Sequence, residues 1–180
     1  MDILCLDFET YYSREFSLSK ITTEEYVRDE RFEVIGVAVK KNDEPTVWCS
    51  GTHDEVADFL GRYDWGSSAL LAHNAMFDAS ILSWRFGIKP LAILDTLSMA
   101  RAIHGTEVGN SLAKLVTHYN LGEKGTEVLD ALGKQRSDFT SAELHAYAGY
   151  CINDVELTYR LFKVLAPSFK ITELKLIDIT

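Results

Sequence analysis

Short apolar segments precede, and then alternate with, segments of helical periodicity, and this order restricts the fold more than any other feature of the sequence. Residues 3–7 predict a buried first strand, and residues 32–40 and 46–48 predict a β-hairpin because the turn signal NDEP separates them. Further short apolar strands are predicted at 69–72 and 93–95, each followed by a helical pattern. This order predicts an α/β fold with a mixed sheet, three antiparallel strands plus two parallel strands, flanked by helices.

The helical segments are marked by apolar stripes and by residues that commonly cap helices. Asn74 is expected to cap the helix after the fourth strand, and Pro167 is expected to end the last long helix. A short helix is expected to begin near Thr22, inside the polar stretch 11–31. The other predicted helices span residues 52–63, 74–86, 96–104, 111–119 and 141–165, and a Gly- and Lys-bearing connection is expected at 122–138.

Size and composition are typical of one compact domain. The 180 residues are 47% hydrophobic and include 3 prolines, so we expect a single domain that spans residues 1–180. No apolar run approaches the roughly 18 residues that a membrane span needs, and the start MDILCLDFET lacks the flanks of a signal peptide. We therefore expect a soluble, cytoplasmic protein without a membrane partner.

The cysteines are Cys5, Cys49 and Cys151, which are odd in number and far apart. Their spacing matches neither a disulfide framework nor a zinc motif, so it predicts buried free thiols.

The formal net charge of −9 argues against a protein that grips duplex DNA through a broad basic surface. Affinity for nucleic acid would have to be local. An acidic site that binds cations first, and lets those cations meet the phosphate, is compatible with this charge.

Three groups of acids carry the candidate chemistry. Asp7 and Glu9 are separated by one residue on a strand, so their side chains leave the same face, which suits Mg²⁺ or Mn²⁺. Asp78 lies in the first turn of a helix, and Tyr150 and Asp154 are four residues apart on another. Taken singly, each group also fits an ordinary structural role: a solvated strand end, an acid at a helix dipole, or a core tyrosine beside a surface acid.

In this order and spacing the sequence resembles the DEDD superfamily of 3′→5′ exonucleases, in which three motifs carry these residues. Gly149 stands five residues before Asp154, where the sister branch has histidine, so the match is to the tyrosine subclass, which includes the proofreading domains of family A DNA polymerases. Nearly the whole chain is similar to the amino-terminal portion of bacteriophage polymerases of that family, in the segments LDFETYY, SLSKITTEEYVRD, FEVIGVAV, LAHNAMFDASILSWRFGIKP, LDTLSMAR and LGEKGTEV.

The resemblance implies a ribonuclease H-like fold, and an enzyme that hydrolyses DNA from its 3′ end to nucleoside 5′-monophosphates with two divalent metal ions, Mg²⁺ or Mn²⁺. Asp7 would bridge both ions, and Glu9 and Asp154 would complete the site of the water-activating ion. Asp78 would act through metal-bound waters, and Tyr150 would orient the attacking water. The setting would be the host cell cytoplasm for a phage-encoded protein.

The expected partner is a single-stranded or frayed 3′ DNA end. The side chains beside the first acid pair are candidates to hold the terminal base; they are Phe8, Thr10, Tyr11 and Tyr12. For Phe8, packing in the core is an equally good explanation. Asn74 is expected to position the terminal nucleotide, and His73 is expected to be structural. The candidate phosphate contacts are Lys124, Lys134 and Arg136. These three basic side chains would also be expected in a solvated loop that binds no phosphate.

Two other functions stay open from the sequence. One is an RNA-trimming exonuclease of the same fold, because the residues do not show contacts to a 2′-hydroxyl. The other is a non-catalytic module that docks nucleic acid or a polymerase, which the retained acids disfavour. Residues 171–180 are expected to be a helix cut off before its partner, as a link to a polymerase domain of the same parent chain or as part of a free-standing relative.

Overall fold

The computed structural model of the protein describes residues 1–125 and 131–179. Its sheet has five strands in the order β3-β2-β1-β4-β5. The strands are β1 (Ile3–Thr10), β2 (Val34–Lys41), β3 (Val47–Cys49), β4 (Ala69–Ala72) and β5 (Ala92–Asp95). β1, β2 and β3 pair antiparallel, whereas β1, β4 and β5 pair parallel. The predicted α/β class and mixed sheet are confirmed.

Seven α-helices flank the sheet within the described ranges. They are α1 (Thr23–Arg28), α2 (His53–Leu60), α3 (Ala75–Phe86), α4 (Thr96–His104), α5 (Leu112–His118), α6 (Ser141–Leu165) and α7 (Ile171–Ile179). Capping boxes at Thr22, Thr52 and Thr140 begin α1, α2 and α6. Residues 126–130 of the predicted connection lie outside the described part of the chain. No helix of that part is both long and apolar enough to pass through a bilayer.

Side chains of β1 alternate between two apolar layers. Leu4, Leu6 and Phe8 pack with α1, α2 and α3 on one face of the sheet. Cys5 packs with α4, α5 and α6 on the other face. Asp7 and Glu9 continue the series that Cys5 begins, so the acid pair extends toward the layer that contains α6.

β1 is longer than its parallel neighbour. β4 pairs only with Ile3–Cys5, whereas β2 pairs with β1 as far as Thr10. The edge of β1 that faces β4 is therefore open beyond Cys5. Ligand sites of open α/β sheets lie in a crevice of this kind, beside the carboxyl ends of parallel strands.

Candidate active site

Asp7 and Glu9 lie on the part of β1 that has no β4 partner. Burial and then the negative charge of Asp154 raise the pKa of Asp7 from 3.8 to about 7. Burial, followed by the charges of Asp7 and Asp154, raises the pKa of Glu9 well above its ordinary range. The two acids and Asp154 therefore act on one another electrostatically, although they are distant in sequence.

Asp78 reaches the same place from α3. Its Oδ1 accepts a hydrogen bond of 3.2 Å from the backbone N–H of Phe8, which lies between the two acids of β1. That N–H belongs to the stretch where β4 has ended, so the carboxylate satisfies a donor on the open strand edge. Asp78 is only 3% exposed, and burial, with the charge of Asp7 second, raises its pKa well above the ordinary value.

The first turn of α3 is held by an acid from another strand. The Oδ1 of Asp95 accepts hydrogen bonds from the backbone N–H groups of Asn74 (2.8 Å) and Ala75 (3.3 Å), and also from Leu97 (3.0 Å) at the start of α4. Asn74 occupies the N-cap position in a left-handed conformation, with φ of 70°, and its side chain makes no capping hydrogen bond. Asn74 thus occupies the expected cap position, but the capping hydrogen bonds are accepted by Asp95 and not by the Asn74 side chain.

Tyr150 and Asp154 share one face of α6, one turn apart. Asp154 is 6% exposed; its Oδ2 lies 2.7 Å from the Lys124 ammonium, and its buried Oδ1 has no hydrogen-bond partner among the described residues. Burial raises the pKa of Asp154 even though Lys124 opposes the shift. The Lys124 ammonium also lies 5.4 Å from the ring centroid of Tyr150. Lys124, predicted as a phosphate contact, is therefore engaged by the acidic site itself.

Tyr147 and Cys151 were not predicted as site residues, yet both face the first acid pair from α6. The Cys151 thiol donates to the Asp7 carbonyl oxygen at 3.3 Å and to Asp7 Oδ2 at 3.5 Å. The Tyr147 hydroxyl interacts with the Glu9 carboxylate and opposes the rise of its pKa. Their spacing of four residues, parallel to that of Tyr150 and Asp154, was the available signal in the sequence.

The donor set fits hard divalent cations. Four carboxyl groups gather at the open end of β1, and the pKa of each is raised because burial disfavours its charge: Asp7, Glu9, Asp78 and Asp154. One carboxylate oxygen, Asp154 Oδ1, is buried and unpartnered within the described chain. Oxygen ligands of this kind suit Mg²⁺ or Mn²⁺, whose charge would offset the repulsion between the acids.

Among the residues predicted to hold a terminal base, Phe8 requires a correction. Its ring is 5% exposed and stacks on Phe86 at 6.0 Å, on the face of β1 opposite to the acids, because alternation along a strand puts residue 8 on the other side. Thr10 shares a 2.9 Å hydrogen bond with Tyr26, and the ring of Tyr11 stacks on Phe16 at 6.0 Å. Thr10 and Tyr11 remain half-buried beside the site.

The other predicted contacts are spread more widely. The Asn74 side chain is exposed at the start of α3. Lys134 forms a 3.0 Å ion pair with Glu143, and the backbone N–H of Arg136 donates to the Glu33 carboxylate at 3.0 Å. His73 hydrogen-bonds the Thr96 hydroxyl at 2.8 Å and the Asn110 carbonyl at 3.0 Å, so the structural role expected for His73 is confirmed.

A family model described as a 3′–5′ exonuclease matches residues 65–170, a span that includes Asp78, Tyr150 and Asp154. None of the curated proteins matches the sequence.

Solved structures with the same fold include nucleases and a polymerase. NrnC of Brucella melitensis is 16% identical with a TM-score of 0.63, and the match covers 92% of this chain and 72% of that one. RNase D of Trypanosoma brucei is 15% identical with a TM-score of 0.67, covering 91% and 57%. The family B DNA polymerase of Pyrobaculum calidifontis is 19% identical with a TM-score of 0.65, covering 93% of this chain and 25% of the polymerase. At these identities the likeness establishes the fold.

Proposed function

Because the chain belongs to the 3′–5′ exonuclease family, we propose that it removes nucleotides from the 3′ end of single-stranded or frayed DNA and releases nucleoside 5′-monophosphates. The family assignment confirms the resemblance drawn from the sequence motifs. The observation that carries the proposal is the meeting of Asp7, Glu9, Asp78 and Asp154 at the open end of β1.

The roles proposed for these residues are those that the family resemblance implies, and the grouping of the four acids supports them. Asp7, Glu9, Asp78 and Asp154 would hold two divalent cations, Mg²⁺ or Mn²⁺, with Asp7 between the other acids. Bound cations supply charge stabilisation at the scissile phosphate and lower the pKa of water. Asp78 also fixes the backbone between Asp7 and Glu9 through its hydrogen bond to Phe8.

Tyr150 is proposed to orient the attacking water. Burial and then the charge of Asp154 raise the pKa of its hydroxyl above the ordinary value of 10, so the phenol stays protonated at neutral pH. A protonated phenol donates and accepts hydrogen bonds but is no general base. We expect Tyr150→Phe to lower kcat more than it changes KM.

The central test is digestion of single-stranded DNA that carries a label at the 3′ or at the 5′ end. With Mg²⁺ or Mn²⁺ the 3′ label should appear at once as mononucleotide, while the 5′-labelled strand shortens stepwise; EDTA should stop both. Asp7→Ala should abolish digestion, and Asp58→Ala, an exposed acid on α2, is the matched control. Wild-type activity in Asp7→Ala would overturn the proposed site.

An RNA-trimming activity is the second candidate, and the structural neighbours give the reason to keep it. These include the Trypanosoma brucei RNase D with GMP and the Brucella melitensis NrnC with pGG. The rates at which the protein digests matched DNA and RNA oligonucleotides and the dinucleotide pGG distinguish a DNA exonuclease from an RNA-trimming one. If RNA or the dinucleotide were cleaved faster than DNA, the proposed substrate would be RNA or the dinucleotide instead of DNA.

Proofreading for a polymerase domain of the same parent chain is the proposed biological role. The family B polymerase, in which this fold accounts for 25% of the chain, supports that arrangement. A duplex with a mismatched 3′ terminus should be shortened faster than a matched duplex, because mismatched ends fray more readily. Equal rates on both duplexes would contradict the proofreading role.

A further inference from the structure

The Cys151 thiol is part of the acidic site, which the cysteine spacing alone does not indicate. Its sulfur lies 3.5 Å from Asp7 Oδ2, and the ligand atoms of Asp7, Glu9 and Cys151 all lie within 4.8 Å of one another. Cys151 is fully buried on α6. Two oxygen donors and one sulfur donor are therefore close neighbours in the folded protein.

The separation between Cys151 Sγ and Asp7 Oδ2 matches the coordination geometry of zinc. With Zn–S of about 2.3 Å, Zn–O of about 2.0–2.2 Å and a tetrahedral angle, the sulfur and oxygen ligands of one zinc ion are about 3.5–3.7 Å apart. The observed separation of 3.5 Å between Cys151 Sγ and Asp7 Oδ2 falls in that range. Sulfur is a poor ligand for Mg²⁺ and Mn²⁺ and a good one for Zn²⁺ and Cd²⁺.

We propose that Asp7, Glu9 and Cys151 form a second binding mode of this site, selective for thiophilic divalent cations of the Zn²⁺ and Cd²⁺ class. On binding, the S–H proton of Cys151 leaves to solvent, a sulfur–metal bond forms, and no electron is transferred. The fourth position of a tetrahedral ion is left to water.

Occupation of this mode inhibits the enzyme, because Asp7 and Glu9 are then committed to an ion held on the Cys151 side of the site. The order of divalent affinities also places Zn²⁺ above Mn²⁺ for a given set of ligands. The inhibition rests on the proposed nuclease function, whereas the binding of the thiophilic cation does not.

The binding test uses Co²⁺ as a spectroscopic probe on the full chain. Coordination by Cys151 should give the near-ultraviolet thiolate-to-cobalt charge-transfer band, which Zn²⁺ should then remove by displacing the probe. Cys151→Ser and Cys151→Ala should lose the band. Cys49→Ser, which alters a half-exposed thiol on β3, is the matched control and should keep it.

Glu9→Gln provides a variant that leaves the thiol in place. It should weaken Co²⁺ binding at least about tenfold, the loss that even an outer-shell contact of a metal site causes. A band that persists in both Cys151 variants, or its absence from the wild type, would overturn the proposal. Thermal unfolding of each variant without metal confirms that the folded protein was compared.

The Mg²⁺-dependent digestion assay then separates this inference from the proposed function. Zn²⁺ at a small excess should inhibit wild type and Cys49→Ser, and inhibition should require at least about tenfold more Zn²⁺ in Cys151→Ser. If the protein digests DNA but shows no cobalt–thiolate band, the proposed nuclease function stands and the proposed binding of thiophilic cations is wrong. If the band appears but DNA is not digested, the metal binding stands and the proposed nuclease function is wrong.

Discussion

Lys124 forms an ion pair with Asp154, one of the four candidate metal-binding acids. Within the described part of the chain, no other lysine is paired with these acids. Its Nζ lies 2.7 Å from Asp154 Oδ2 and 5.4 Å from the Tyr150 ring centroid. Although burial opposes the charged form, the hydrogen bond with Asp154 raises the pKa of Lys124. In the metal-free protein Lys124 therefore stabilises an otherwise costly buried carboxylate.

Replacement of Lys124 by methionine should separate this role from phosphate binding. Lys124→Met keeps the apolar stem but leaves Asp154 unpaired, so we expect the free energy of unfolding without metal to fall by about 1–3 kcal/mol. Mn²⁺ should bind more tightly, by about tenfold if the displaced ion pair contributes about 1.4 kcal/mol. Thermal unfolding and calorimetric titration with Mn²⁺ measure the two effects.

Lys163→Met is the control, because Lys163 forms an exposed 2.8 Å ion pair with Asp43 away from the site. It should change neither quantity by more than about 0.5 kcal/mol. Weaker Mn²⁺ binding in Lys124→Met would mean that the ammonium assists the cation instead of competing with it.

At the scale of elements, the helices with local start signals were predicted well. Thr140 forms a capping box with Glu143, and α6 spans Ser141–Leu165 as the sequence predicted. α4 likewise spans the predicted Thr96–His104. Caps and apolar periodicity act within a few residues, so the sequence displays them directly.

The contacts that shape the site depend on residues distant in sequence, and the sequence did not display them. Asp95 reads as the end of a strand, yet it caps α3, which begins 20 residues earlier in the chain. Helical spacing puts Cys151 and Tyr147 on one side of α6, but only packing decides that this side meets Asp7 and Glu9. The acids themselves were predictable because their spacing carried a family pattern.

Asp95 is predicted to support both the helices that it caps. Asp95→Ala removes an acceptor from the first turns of α3 and α4, so the free energy of unfolding should fall by about 1–2 kcal/mol. Because Asp78 lies in the first turn of α3, digestion should also slow. Denaturant unfolding and the digestion assay measure these effects, and Asp58→Ala is the control. Unchanged stability in Asp95→Ala would show that water replaces the carboxylate without cost.

Two glycines should respond to alanine in opposite directions. A Cβ at Gly36 on β2 would lie 2.2 Å from the Trp48 ring, so Gly36→Ala forces that ring to move and should cost about 1–3 kcal/mol. Among the described residues, no atom beyond the chain neighbours and nearby helix backbone of Gly149 lies within 4 Å of its added Cβ, so Gly149→Ala should stabilise by about 0.5–1 kcal/mol. Denaturant unfolding measures both changes. Trp48→Leu should offset part of the Gly36→Ala loss, and additive losses in the double variant would contradict the clash.

At the scale of the whole molecule, the protein has a formal net charge of −9 and concentrates four carboxyl groups at one end of its sheet, two of them half-buried (Asp7 and Glu9) and two buried (Asp78 and Asp154). Charge of one sign destabilises the compact state through self-repulsion. The metal-free fold is therefore under electrostatic stress that protons or divalent cations relieve. Both ligands bind the native state more strongly than the unfolded chain, so both should stabilise the fold by mass action.

The stability of the metal-free protein should consequently fall as pH rises. Asp7 has a pKa of about 7 in the folded protein against 3.8 for the ordinary group, so between those values the native state holds a proton that the unfolded chain has released. Its contribution is complete below about pH 4 and is lost as pH rises through about 7; the raised pKa values of Glu9 and Asp78 act in the same direction. Asp7→Asn should flatten this profile, because it removes one titrating group and the charge that acts on the other two.

The measurement is urea unfolding from pH 4 to 8 in EDTA, repeated with Mg²⁺, on wild type, Asp7→Asn and the control Asp58→Asn. Mg²⁺ should restore stability mainly at high pH, where the carboxylates are free to bind it, by about 2.7 kcal/mol at a concentration of about 100 times Kd. The control should follow the wild type under both conditions. If wild-type stability in EDTA rose with pH across this window, protons would not be relieving the repulsion at the end of β1, and the electrostatic description of the site would be wrong.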